Sequence, residues 1–196
     1  MAKRPQRLFP ALYPVPVVLL TCVDVDGAPN VLTVSWIGIA SSIPPHVSVS
    51  LRPYRLSTAV IRRTGEFVIN CPTEDLLLAV DRCGMVSGRT VAKLAATGLT
   101  PEPASLVKPP LIRECPVSLE CRVVRAVNLP SHELFIAEVL AVQVDEGALT
   151  PDGLIDYDRL RAIACLGNEY HRIGECLRTM GFSLREKRPG GEERDA

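Results

Sequence analysis

The sequence predicts a mainly β protein, a closed or nearly closed antiparallel β-barrel of Greek-key-like type with short helices inserted between strands. Three observations lead there. Runs rich in Val, Ile and Thr dominate both halves of the chain. Helix-like spacing is confined to short stretches near the middle, without the regular strand–helix alternation of a doubly wound sheet. Some strands are apolar at odd and even positions alike, as expected where both faces are covered, and barrel closure removes the edges they would expose.

The elements follow in order. Val17 to Val25 is rich in β-branched residues and forms the first strand. Asp26-Gly27 and Pro29 turn the chain. Val31 to Ala40 follows as one strand, with Val31, Thr33, Ser35, Ile37 and Ile39 on one face and Leu32, Val34, Trp36 and Gly38 on the other. Pro44-Pro45 breaks it, and His46 to Leu51 is the third strand. Then the period changes. Leu56, Ala59, Val60 and Arg63 fit a short helix, with Ser57 or Thr58 near its start and Gly65 ending it. Phe67 to Cys71 is a strand. Thr73-Glu74-Asp75 begins a helix that carries Leu76, Leu77, Val80 and Cys83 and ends at Gly84. Ser87 to Ala96 is a further short helical piece, and Pro101, Pro103, Pro109 and Pro110 mark an extended connection. Val117 to Val127 and Glu133 to Asp145 are long strands joined by the Leu129-Pro130-Ser131 turn. A late strand runs near Ile163 to Leu166.

Composition bounds the function. A chain of 196 residues suits one ordinary domain, placed at residues 14–186, after an N-terminal arm of residues 1–13. Residues 187–196 hold charges, Pro189 and Gly190-Gly191 without an apolar anchor, and are expected to be a disordered tail. Twenty-two basic and 22 acidic residues cancel, so no global field draws the chain to nucleic acid or to an acidic membrane surface. No stretch approaches the ~18 apolar residues of a membrane span, and the opening Met1-Ala-Lys-Arg-Pro5 is not a secretory leader, so a cytoplasmic location is expected. Seven cysteines, an odd number without CxxC spacing, favour small buried hydrophobes over a disulfide framework or a zinc site. No metal site is expected. No strand leads into a GxGxxG turn, so a Rossmann dinucleotide fold is not indicated.

Four clusters carry candidate chemistry. Asn30, Thr33, Val34, Ser35 and Trp36 place polar groups and the only Trp in an apolar strand. They either bond to neighbouring backbone and fill the core, or form a wall for a planar polar ligand. Ser50, Arg52, Ser57 and Thr58 lie where a strand gives way to a helix, whose N-terminus favours a phosphate; ordinary capping is the simpler use. Ser87, Arg89 and Lys93 follow, and Arg89 and Lys93 share a face if this piece is helical. His132, in Ser131-His132-Glu133-Leu134-Phe135, stands at a strand entrance and is the histidine best placed to project into a cleft.

Together these stretches resemble the flavin reductase-like family, with its FMN-binding split barrel, and its flavoredoxin-like branch in particular. The resemblance is carried by PVVLLTCVDVDGAPNVLTVSWIGIASSIPPHVSVSLRP (residues 16–53), TGEFVINCPTEDLLLAVDRCGMVSGRTVAK (64–93) and LECRVVRAVNLPSHELFIAEVLAV (119–142). It implies a homodimer with one flavin per subunit near the interface, the flavin being FMN, or FAD in some branches. It implies that Asn30, Thr33, Val34, Ser35 and Trp36 line the isoalloxazine ring. By the same resemblance Ser50, Arg52, Ser57 and Thr58 surround the ribityl phosphate, and Ser87, Arg89 and Lys93 help to hold it. His132 falls in an SHxLFIGEV-type motif near the flavin face, where a nicotinamide stacks; here Ala137 stands in place of the usual glycine. Asn168-Glu169-Tyr170 is similar to a GGEYY-like segment, which adds Tyr170 to the pocket. The activity implied is reduction of flavin by NAD(P)H for a downstream acceptor, such as a monooxygenase or another redox protein. A flavoredoxin-like carrier, reduced by a protein partner rather than by NAD(P)H, stands beside it. In either case the flavin performs the redox chemistry, and no protein nucleophile is required.

Overall fold

The computed structural model describes residues 3–184; the expected tail at 187–196 lies outside them. Residues 3–12 are exposed and carry no regular structure. The strands are β1 (Val15–Pro16), β2 (Val18–Val23), β3 (Pro29–Val34), β4 (Ile37–Ser42) and β5 (Pro45–Leu51). Helix α1 (Leu56–Thr64) leads to β6 (Glu66–Cys71). After a 3-10 turn come α2 (Leu77–Met85) and α3 (Lys93–Thr97). The short β7 (Pro101–Glu102) and β8 (Leu111–Ile112) precede the long β9 (Val117–Asn128) and β10 (Glu133–Val144). The last strands are β11 (Ile163–Leu166) and β12 (Glu169–Arg172).

Seven strands form one antiparallel sheet in the order β3-β2-β6-β9-β10-β5-β4. Its two edges, β3 and β4, are joined by only Ser35-Trp36. Three Cα–Cα steps reach at most about 11 Å, so opposite edges of the sheet meet at this corner and the sheet curls into a barrel that is split there. The single strand expected over Val31 to Ala40 is therefore two strands, broken where the chain passes from one edge to the other. A smaller sheet, β1-β11-β12, adds two strands, β1 and β12, that the sequence reading did not isolate.

Alternation sets the core. On β2 and β3, Leu20, Cys22, Leu32 and Val34 face the interior with Phe67, Val49 and Phe135, where α1 adds Val60 and Ile61. On the other face Leu19 and Val31 pack against Val80 and Cys83 of α2 and Leu94 of α3. Both faces are thus covered, as the two-sided apolar pattern of this hairpin requires.

Local chemistry departs from expectation at three places. Gly65 does end α1, at φ 71°, where its N–H bonds to the Ile61 carbonyl. Yet Ser57 and Thr58 are not its caps: the N-cap is Arg55, without a side-chain cap, and both hydroxyl residues are buried in the first turn. Gly84 does not end α2, which runs on to Met85; a Cβ there would lie 3.3 Å from the Thr33 Cβ, so this glycine serves close packing of α2 on β3. Ser87 to Ala96 is not one helix but a turn through Thr90 followed by α3. Arg89 and Lys93 therefore share no helical face.

No helix among the described residues is long and apolar enough to cross a membrane.

Candidate anion-binding cleft

The first turn of α1, the start of β3, the loop after α2 and the first residue of α3 enclose a cleft of about 100 Å³. Asn30, Ser57, Ser87 and Lys93 line it, together with Leu32, Tyr54, Arg55, Leu56, Val86 and Gly88. Two cations are present and no carboxylate. Lys93 is buried, and its Nζ donates to the Cys83 carbonyl at 2.7 Å. An ammonium has three donors, so two remain after this bond. Burial holds Lys93 below the ordinary lysine pKa; the nearby Cys83 opposes that shift and Arg55 adds to it.

Ser57 brings a hydroxyl to the cleft lining. Its Oγ accepts a hydrogen bond from Asn30 Nδ2 at 2.8 Å. Two neighbouring hydroxyls are otherwise engaged: Thr58 Oγ1 donates to the Arg52 carbonyl at 2.8 Å, and Thr33 Oγ1 donates to the Val80 carbonyl. The α1 N-terminus contributes its positive dipole end, with no acidic residue in its first turn to cancel it. Free donors, two cations and a helix N-terminus in one small cleft suit a phosphate group.

A second group lies along the turn between β5 and α1. Trp36 stacks on His132, with ring centroids 4.5 Å apart and planes 27° from parallel. The Ser50 N–H donates to the Trp36 carbonyl at 2.8 Å and ties the β3–β4 link to β5. His132 Nδ1 meets Ser131 Oγ at 2.8 Å. Burial lowers the His132 pKa, and the neighbouring Arg52 lowers it further, which favours a neutral imidazole at pH 7. Trp36 is 40% exposed, so its ring also offers area to a ligand.

The expected site residues thus divide. Asn30, Ser57, Ser87 and Lys93 meet in the cleft; Trp36, Ser50, Arg52 and His132 gather beside the β5–α1 turn. Others are placed elsewhere. Val34 is buried in the barrel core, and the Thr33 and Thr58 hydroxyls are spent on backbone carbonyls. Ser35 sits in the strand link, and Arg89 is exposed in the turn before α3. Tyr170 lies on β12, where its hydroxyl donates to Asp81 at 3.3 Å, and it lines a separate cavity with Glu74 and Arg161. Leu32, Leu56, Val86 and Gly88 were not foreseen. Gly88 had the clearest signal, since it stands inside the Ser87-Gly88-Arg89 cluster; an isolated apolar residue such as Leu32 gives none. Tyr54 and Arg55 lie between Arg52 and Ser57 of the second cluster, and there Arg55 is one of two arginines able to bond a phosphate.

The sequence model described as "Flavin reductase like domain" matches residues 11–163. The chain belongs to this family. Its split barrel has the family's fold: flavoredoxin of Desulfovibrio vulgaris (Miyazaki F) superposes with a TM-score of 0.88 at 31% identity, covering 94% of this chain and 100% of the other. Flavoredoxin from Methanosarcina acetivorans gives a TM-score of 0.82 at 28% identity, over 94% and 99%. An uncharacterized protein of Archaeoglobus fulgidus is 37% identical over 147 residues, 74% of this chain and 80% of its own. For this family member, the cleft and the Trp36–His132 pair are the features to be accounted for.

Proposed function

We propose that the protein binds FMN and passes electrons from NAD(P)H to a downstream acceptor. The observation that supports the flavin-binding part of this reading is the cleft itself: Arg55 and the buried Lys93 line it without a carboxylate. Flavin, when bound, supplies the redox chemistry. The chain's own residues hold and orient it. Lys93, Ser57, Ser87 and the α1 N-terminus would take the phosphate, and Trp36 with the neutral His132 would offer a planar apolar surface to the ring. Whole ligand pockets measure roughly 300–1,000 Å³, so a cleft of about 100 Å³ has room for a phosphate group and leaves the ring outside it.

A second reading has a specific observation behind it. The likeness to two flavoredoxins supports an electron carrier that is reduced by a protein partner. Anaerobic mixing of the FMN-loaded protein with NADH or NADPH separates the two. Rapid bleaching of the flavin colour supports the nicotinamide-dependent enzyme; slow bleaching, with fast reduction by a redox protein, supports the carrier.

We also propose a homodimer. Ile39 on the edge strand β4 and Ile43 just beyond it are 88% and 91% exposed, and a second copy would cover them. A monomeric mass by light scattering at micromolar concentration would contradict this.

A further inference from the structure

We propose that Asn30 is a positioning residue: it commits the Ser57 hydroxyl to donate into the cleft, and so sets the preference for a phosphate monoester. This rests on the cleft being the phosphate site. A serine hydroxyl has one proton and two lone pairs. Asn30 Nδ2 occupies one lone pair of Ser57, at 2.8 Å, so the proton must point elsewhere. Ser57 is only 1% exposed, and it lines the cleft. The competing acceptor on the barrel side is the Cys22 sulfur, within hydrogen-bonding reach of both Ser57 and Asn30; burial pushes the thiol pKa up to about 11 against those two bonds, so the sulfur stays protonated. A neutral thiol is a weak acceptor; a phosphate oxygen is a strong one.

Asn30 is itself held. It is 8% exposed, and a Cβ built on Gly88 would lie 2.1 Å from its Oδ1. The loop after α2 therefore closes directly on the amide, and only glycine permits that approach. Asn30 thus joins β3, α1 and the Gly88 loop at one point. The reverse arrangement, in which Ser57 donates to position 30, would withdraw the donor from the cleft. Asn30→Asp imposes it, because a carboxylate only accepts.

The test is the ratio of riboflavin to FMN dissociation constants, measured by calorimetry for wild type, Asn30→Ala, Asn30→Asp, Ser57→Ala and the Asn30→Ala/Ser57→Ala double variant. Riboflavin lacks the phosphate, so a general loss of structure moves both constants and leaves the ratio alone. The ratio is expected to fall about tenfold in Asn30→Ala and in Ser57→Ala. It should fall no further in the double variant, and at least as far in Asn30→Asp. Asn30→Asp also brings a negative charge into the cleft, so its decisive outcome is a retained ratio, which would overturn the role even if Asn30→Ala fails to fold. A wild-type ratio retained in either Asn30 variant, or losses that add in the double variant, would overturn the positioning role alone. A wild-type ratio near one would overturn the phosphate site and this role together.

Discussion

Lys93 Nζ lies 2.7 Å from the carbonyl oxygen of Cys83, and among the described residues this buried ammonium makes no ion pair. A buried cation held by one neutral acceptor costs stability, and an arriving anion relieves that cost. Lys93→Met is therefore expected to weaken FMN by about tenfold or more while leaving riboflavin nearly unchanged, since a hydrogen bond to a charged group contributes roughly 1.5–3 kcal/mol. Calorimetric titration with both ligands checks this.

The same residue gives a pH dependence. Its folded pKa lies below its ordinary 10.5, so between the two values the unfolded chain binds more protons. Stability of the ligand-free protein should then rise with pH as it approaches 10.5. Denaturant unfolding across the alkaline range should show this rise in wild type and a smaller one in Lys93→Met.

Glu120 contributes to stability on the acid side. It is fully buried, and its carboxylate accepts bonds from the Ser105 and Leu106 N–H groups, the Ser105 hydroxyl and Gln143. Burial alone would raise its pKa, but these bonds outweigh burial and hold it at about 2. Its contribution is present above the ordinary 4.5 and is lost as pH falls from there toward 2. Glu120→Gln should lower stability at neutral pH by about 1–3 kcal/mol and flatten the unfolding profile in that acid window.

Gly88→Ala tests the closure of the cleft. The new methyl has no room beside Asn30 Oδ1, so the loop or the amide must move. Overpacking of this kind costs about 1–3 kcal/mol. A lower melting temperature, with weaker FMN binding, is the expected outcome of thermal unfolding and titration.

Trp36 provides a direct optical probe, because it is the only tryptophan in the chain and it stacks on His132. FMN binding should quench its fluorescence. Trp36→Ala should weaken FMN and riboflavin by similar factors, since the ring rather than the phosphate loses its surface.

The strand and helix framework was largely legible because local period and turn residues encode it: Gly65 stops α1, and the apolar pattern of β2 and β3 foretells burial on both faces. What was not legible depends on long-range contact. Val31 to Ala40 has the pattern of one strand, and only the sheet order shows that it must change edges at Ser35-Trp36. Gly84 reads locally as a helix stop and Gly88 as part of a helical piece, yet both serve close approach, to Thr33 and Asn30, which lie more than fifty residues away in sequence. Lys93 was singled out as one half of a cationic helix face. Its position in the cleft comes instead from its place as the first residue of α3, after a non-helical stretch at residues 86–92 that holds the exposed Arg89.

The most direct test is side-by-side calorimetric titration of the purified, ligand-free protein with FMN and riboflavin. Saturable uptake of both is expected, with FMN held at least about tenfold more tightly. No uptake of either by well-folded protein, or equal affinity for the two, would contradict the assignment of this cleft.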